Sequence, residues 1–456
     1  MLERDQNDAE GWRFDLSSPA WPRAALLWPG VAFLAWTIIQ VVPLPAAIVQ
    51  TVSPGRGHLR TEELQRPYPF SIDAAASLRG IAFASSMLLM YLAAAALATR
   101  SACRRRFRIF IAGLGLVLAL VALFQIAVGA RRIYGVFTPI ESESFFGVFV
   151  NRNHFAAYMT LCAMAALAIL HRSFHSYRHR LGPGSNRRRQ ILALGDPEGV
   201  RLILAAIPVP ITIGALIATT SRGGILAFGG ALLLAAAAIR GHRRRLPAGI
   251  VAFLVVGLPL LWFGFERLED RFGQIAADES GRTAVWRQSL ESMSGTWLTG
   301  AGLNTFPDAI SRVLPLRLPV GAAAWPAEVA EAIPAQLRIG HRTPERLEGW
   351  IWYREAHNDY VQLAVETGAI GAAIGLWGLL MLVARLREPW LASGVISILA
   401  HSTVDFSLQI PAVAILFFVV CAYAERTSIG RPVALPRPAA AAPMSSHSEA
   451  PAAAYR

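Results

Sequence analysis

The chain contains no lysine, only three cysteines and few charges of either sign; its 456 residues are 16% charged. The absence of lysine is a matter of composition and excludes nothing about function. The scarcity of charge excludes more, because a soluble domain of this length carries a larger share. The cysteines are also informative. Cys162 and Cys421 sit in apolar runs, Cys103 sits in a basic segment, and the long polar stretch of the chain has none. That pattern excludes a disulfide framework and a thiolate metal site.

What the chain does have is apolar sequence. Apolar residues make up 54% of it, and the mean hydropathy is +0.43. They come in runs of about 18 residues or more, enough to cross a bilayer core as helices. The alternating segments of an outer-membrane barrel are absent. The fold class expected is an all-α polytopic membrane protein of about ten transmembrane helices with one large outer loop. The net charge of +13 would suit nucleic acid, but in a membrane protein basic residues set topology, so no nucleic-acid partner is expected.

Residues 1–23 are polar and acid-bearing, unlike the basic start of a signal peptide, and read as a cytoplasmic tail. Spans are expected near 24–42, 80–98, 109–128, 154–170, 202–218, 225–239 and 246–265, so that seven helices fill 24–265. A long polar stretch, 266–362, follows as the large loop. Three more spans are expected near 363–384, 389–406 and 410–424, within 363–426. The Ala/Pro/Ser-rich tail, 427–456, has the composition of a disordered segment. The connections after the second, fourth, sixth and eighth spans are dense in arginine and nearly free of acids. By the positive-inside rule both termini are then cytoplasmic and the large loop faces outward.

That topology isolates four polar positions on the outer side: Arg152, Arg222, Arg282 and His357. The positive-inside rule does not account for cations there. Arg222 lies in Thr219-Thr220-Ser221-Arg222-Gly223-Gly224, between two apolar runs with no acid nearby. An arginine at hydrocarbon depth costs at least about 2.5–3.5 kcal/mol, so it should be paired or face a water-filled cavity. The structural alternative is a snorkelling side chain at a tight turn, with the glycines packing closely. Arg282 and Trp286 are four apart, one face of a short helix, where Trp286 would equally serve as an interfacial anchor. Arg152 stands between Asn151 and Asn153, a helix-capping arrangement.

His357 precedes Asn358 and Asp359. Histidine is the side chain most readily used as a base near neutral pH; the plainer reading is a loop residue before a helix. His401 and Asp405 are expected on one helix face in the ninth span, where an interhelical lock is the favoured role. No second histidine lies at metal spacing in the outer loops, so no metal or other cofactor is expected. Several arginines beside one histidine suit a diphosphate held next to a base, since guanidinium matches phosphate oxygens bidentately.

At these residues the chain resembles the O-antigen ligase and polymerase superfamily of bacterial membrane glycosyltransferases. The resemblance rests on pieces in the family's order: Gly147-Val148-Phe149-Val150-Asn151-Arg152-Asn153-His154-Phe155-Ala156, then Ser221-Arg222-Gly223-Gly224, then Gly281-Arg282 with Trp286. Next come Leu298-Thr299-Gly300-Ala301-Gly302 with Phe306, then Ala356-His357-Asn358-Asp359-Tyr360 with Glu366-Thr367-Gly368. His401-Ser402-Thr403-Val404-Asp405-Phe406 closes the series, and the resemblance covers roughly residues 110–425. It implies a GT-C-type helical fold in the bacterial inner membrane. It also implies metal-independent inverting transfer of a glycan from an undecaprenyl-diphosphate donor to an acceptor hydroxyl at the periplasmic face. Arg222 and Arg282 would contact the diphosphate and His357 would activate the acceptor. Arg152, Asn153, Trp286, Asn358, Tyr360 and Glu366 would line the substrate site.

The favoured acceptor is lipid A–core oligosaccharide, the O-antigen ligase reaction. A growing polysaccharide (polymerase) comes second and a protein hydroxyl third. The protein acceptor is disfavoured because the outward connection after the ninth span is only a few residues. A glycolipid transporter is the reading from another class. Transporters tend to carry internal repeats and mid-membrane breaks, whereas here no repeat is visible and the polar sites gather on one side. A non-catalytic scaffold would make Arg222 and Arg282 dispensable. The Ala/Pro/Glu-rich part at 318–348 matches no motif.

Overall fold

A computed structural model of the chain describes residues 24–57, 66–138, 145–240, 285–311 and 354–425. The expected seventh span, Arg282 and the 318–348 segment lie outside the described residues. Among those described, helices dominate and no strands form; three isolated bridges pin loops.

Nine apolar helices make the bundle: α1 (Leu27–Val41), α2 (Ala74–Leu97), α3 (Ser101–Ala127), α4 (Arg152–Leu181), α5 (Pro197–Ala218), α6 (Arg222–Arg240), α7 (Asp359–Arg385), α8 (Pro389–His401) and α9 (Pro411–Glu425). Six of them, α2 to α7, are long and apolar enough to cross a membrane, so the chain is a polytopic membrane protein. The remaining three are shorter. Several helices start where the sequence offers a cap. Asp73 accepts from Ala76 N at 2.9 Å, Asn151 from Asn153 N at 2.8 Å and Glu388 from Leu391 N at 2.7 Å. Proline at the first position of α5, α8 and α9 fits because that N–H has no helical partner.

Helix α4 is the centre. Its apolar window is 78% buried, against 28–33% for the other five long helices. It packs on α3, α5, α6, α8 and α9, while α1 joins α2 and α7 at the side. Small side chains allow this: a Cβ on Gly115 of α3 would lie 2.5 Å from Cys162 Cβ, so only glycine fits against α4 there. Apolar attraction between helices is weak in lipid, and close packing of small residues takes its place. Large exposed side chains such as Phe110, Phe124, Leu226 and Leu380 are the lipid-facing counterpart.

Several expected boundaries change; α2 begins at Ala74 rather than near 80, and α7 begins at Asp359, within the stretch expected as loop. The basic residues Arg104 and Arg108, read as a loop, belong to α3. Helix α4 continues to Leu181, past the expected end near residue 170, because its basic last turn remains helical and suits a helix C-terminus. The ninth span stops at His401 rather than 406, so Asp405 is not helical. There the Asp405 carboxylate accepts from the next backbone N–H, Phe406 N, at 2.9 Å, a local bond that competes with the helix.

The expected outer loops meet at one end of the bundle. Arg56 is buried and donates to Phe70 O at 3.1 Å and Ser71 O at 2.7 Å. Thr299 Oγ1 donates to Ser53 Oγ at 3.0 Å, and Gly55 N donates to Gly295 O at 3.0 Å. The segment between α1 and α2 is therefore a platform under the described part of the large loop.

Candidate active site

Two helix starts carry arginines. Asn151 caps α4 and Arg152 occupies its first position. Ser221 caps α6, its Oγ accepting from Gly224 N at 3.2 Å, and Arg222 occupies the first position. Ser221 Oγ also donates to Asn153 Oδ1 at 2.8 Å, tying the two starts together. Neither first turn contains an acid. A helix N-terminus carries partial positive charge, so an arginine there gains nothing from the helix. Arg152 and Arg222 thus add to two positive ends already side by side, an arrangement that attracts anions. Both side chains are half-buried.

The glycines after Arg222 have packing duties. A Cβ on Gly223 would stand 2.8 Å from His401 Nε2, and one on Gly224 would stand 2.5 Å from Ala156 Cβ. Just before the cap, Thr220 takes a positive φ of 51°, which is costly for a β-branched residue. This break is a tight, over-determined turn.

Behind it lies a buried polar cluster. His154 Nε2 and His401 Nε2 each stand 3.7 Å from a different oxygen of Asp405, longer than a hydrogen bond but close enough for charge to matter. Burial pushes the Asp405 carboxyl up. The two imidazoles that face it, together with the Phe406 N–H it accepts from, outweigh burial and hold it below its ordinary value. Asp405 still faces His401 as expected, but from the turn beyond α8, and it gains His154 as a second partner. Among the described residues no group of three His, Cys, Asp or Glu side chains has the geometry to hold a metal.

Phe406 links this cluster to His357. Its ring meets His154 edge-on at 4.6 Å between centroids and His357 edge-on at 4.9 Å. His357 is half-buried with a positive φ of 52°, a left-handed residue ahead of the cap of α7. Asn358 is that cap, accepting from Tyr360 N at 3.0 Å and Val361 N at 3.1 Å. Tyr360 donates its hydroxyl to Leu399 O at 2.8 Å, and Asp359 N donates to Ser402 O at 2.9 Å. Trp286 donates from Nε1 to Ala356 O at 3.0 Å, so it fixes the segment carrying His357. Gln362 donates to Glu355 at 2.7 Å, and Glu355 is raised by burial against that bond.

Glu366 serves the loop. It is buried, and its carboxylate accepts from Asn304 N at 2.7 Å, Gln362 Nε2 at 3.2 Å and Phe306 N at 3.3 Å. Two residues on, Gly368 leaves helical geometry with φ 67° and kinks α7. The segment 297–302 crosses there. Ala301 N donates to Val365 O at 2.9 Å, Gly302 N to Glu366 O at 2.8 Å, and Ala369 N to Trp297 O at 2.8 Å. From α1, Gln40 Nε2 donates to Thr299 O at 2.7 Å and Glu366 O at 2.9 Å, while Trp36 Nε1 donates to Thr367 O at 2.8 Å. A broken helix at membrane depth needs its backbone groups satisfied, and the Gly300-Ala301-Gly302 crossing does so.

The helix starts carrying Arg152, Asn153 and Arg222 are therefore joined by Ser221 and linked to His357 through His154 and Phe406. Asn358, Tyr360, Trp286 and Glu366 hold backbone around this site. Three side chains that close it were given no role by sequence reasoning: His154, Gln40 and Gln362. His154 had a signal, since it adjoins Arg152 and Asn153 in the same motif. The two glutamines stand in ordinary apolar and helical sequence and had none.

Residues 207–383 match the family model described as O-antigen ligase. The matched interval contains Arg222, Arg282, Trp286 and His357, whereas Arg152, Asn153, His401 and Asp405 lie beside it. No curated protein matches the chain.

Proposed function

We propose that this chain, a member of the O-antigen ligase superfamily by its domain at residues 207–383, transfers a glycan from an undecaprenyl-diphosphate donor to an acceptor hydroxyl at the periplasmic face of the bacterial inner membrane. The preferred acceptor is lipid A–core oligosaccharide. The observation that carries this reading is the pairing of two arginine-bearing helix starts through the 2.8 Å Ser221–Asn153 bond, linked to His357 by way of His154 and Phe406.

In this reading the diphosphate sits at the starts of α4 and α6. Arg222 holds its oxygens bidentately, with Arg282 and Arg152 alongside. Charge grows on the diphosphate as the glycosidic bond breaks, and fixed guanidinium groups stabilise it. His357 takes the proton of the attacking hydroxyl. Attack opposite the leaving diphosphate inverts the anomeric centre. The arginines replace a divalent cation, so the reaction needs no metal. The fold type is GT-C, with both termini cytoplasmic and the 266–362 stretch periplasmic.

The test is a transfer assay with purified protein in liposomes containing undecaprenyl-diphosphate glycan and lipid A–core, with chelator present. Glycan should appear on the lipid A–core and should be lost with His357→Ala. Glycan lengthening on the diphosphate lipid would replace the ligase with a polymerase. An undiminished rate for His357→Ala would remove the base assignment.

A further inference from the structure

At the other end of the bundle the structure has an open cavity, about 440 Å³ in volume, lined by His171, Arg172, His175, Ile239, Glu388 and Trp390. Small-molecule sites fall in the same range, about 300–1,000 Å³. It lies between the C-terminal part of α4, the end of α6 and the start of α8. Arg152 and Arg172 are on the same helix, and at about 1.5 Å per residue the cavity is about 30 Å from the candidate active site. That distance is about the thickness of a bilayer core.

The charge in this region is one-sided. Arg172 bears electrostatically on Arg104 and Arg108, both buried in α3. His171 and His175 stand ring to ring at 4.5 Å. Glu388 is the carboxylate facing Arg108, and it also caps α8 through Leu391 N at 2.7 Å. Trp390 Nε1 is buried and has no hydrogen-bond partner among the described residues. The cavity thus holds one guanidinium, two imidazoles and an unused indole donor beside one carboxylate that is already partly committed, while Arg108 and Arg104, the latter donating to Ala98 O and Thr99 O, lie within electrostatic range of Arg172.

We propose that this cavity binds the phosphodiester headgroup of an anionic phospholipid in the leaflet opposite the active site. Arg172 provides the charge-assisted contact, Trp390 Nε1 and an imidazole N–H donate, and Ile239 meets the glycerol backbone. A lipid is the occupant rather than a soluble phosphate compound for two reasons. The cavity stands one bilayer core away from the outer site, and its walls combine a basic cluster with apolar side chains, as headgroup pockets between spanning helices do.

The experiment is native mass spectrometry of the purified full-length protein with equal amounts of phosphatidylglycerol and phosphatidylcholine. Wild type should retain phosphatidylglycerol preferentially. Arg172→Gln should retain it about tenfold more weakly, the loss of one charge-assisted contact. Arg172 and Arg178 are both exposed, but Arg178 does not line the cavity, so Arg178→Gln should leave retention unchanged. Melting in detergent without lipid should be the same for all three proteins, and phosphatidylglycerol should raise it less for Arg172→Gln. Equal retention of the two lipids would overturn the proposal, as would an unaffected Arg172→Gln or an equal loss with Arg178→Gln. Displacement of phosphatidylglycerol by glycerol 3-phosphate at matched concentration would overturn the lipid in favour of a soluble phosphate compound.

Discussion

Arg222 and Asp405 differ in how much of their setting serves stability. Arg222 starts a helix whose dipole does not favour it, and in the proposed reading its charge serves the diphosphate. Arg222→Ala should leave membrane insertion intact and lower glycan transfer by about 10²–10³-fold, as loss of a charge-stabilising group does. Arg222→Lys should recover little, because an ammonium cannot match the bidentate fork. Transfer assays on protein matched for detergent-solubilised yield would check both. Asp405 belongs to stability. Its carboxyl is held below the ordinary value, so it contributes stability above that value and loses it as pH falls through the folded one. Wild type should melt at lower temperature as pH drops below about 4. Asp405→Asn should melt lower at neutral pH and show a flatter acid limb, measured by differential scanning fluorimetry.

The kink of α7 and the crossing at Gly300-Ala301-Gly302 act as one element. Gly368 has φ 67°, and a Cβ there would stand 2.3 Å from Leu298 O; on Gly300, with φ 72°, it would stand 2.4 Å from Glu366 O. Alanine at either place meets backbone, which cannot move aside cheaply. Each should cost more than the roughly 1–3 kcal/mol of conformational strain alone. Melting temperature and folded yield in detergent would read it. Glu366→Gln turns one accepting oxygen into a donor facing an N–H, and should cost about 1–3 kcal/mol. A Glu366→Gln enzyme that loses activity without losing stability would move Glu366 from the loop to the substrate.

At the scale of the molecule, the bundle separates an end rich in motifs from an end rich in arginine. The segment between α1 and α2 buttresses the motif end through Ser53, Gly55 and Arg56. Cysteines placed at Ser53 and Thr299, in a background with Cys103, Cys162 and Cys421 replaced, should cross-link under mild oxidation; a protease site introduced between residues 266 and 284 would then leave the fragments joined on a non-reducing gel after cleavage. Free fragments would mean that the platform and the large loop do not pack together.

Sequence alone was enough for the membrane class, most of the helices and the motif series, because spans are set by apolar length and the motifs are contiguous. It also singled out Arg152, Arg222 and His357 as candidates, since under the expected topology the positive-inside rule does not account for them. It could not place the end of α8, because a local Asp405–Phe406 bond decides that helix stop. Nor could it separate Glu366, which holds backbone, from residues that face the site, or assign His154, Gln40 and Gln362. The roles of Gln40 and His154 depend on contacts between segments hundreds of residues apart, Gln40 with Thr299 and His154 with Asp405, and that of Glu366 on backbone about 60 residues away. A side chain's type and its neighbours in sequence carry no record of such partners. They are decided when the helices pack, and so by the tertiary structure alone.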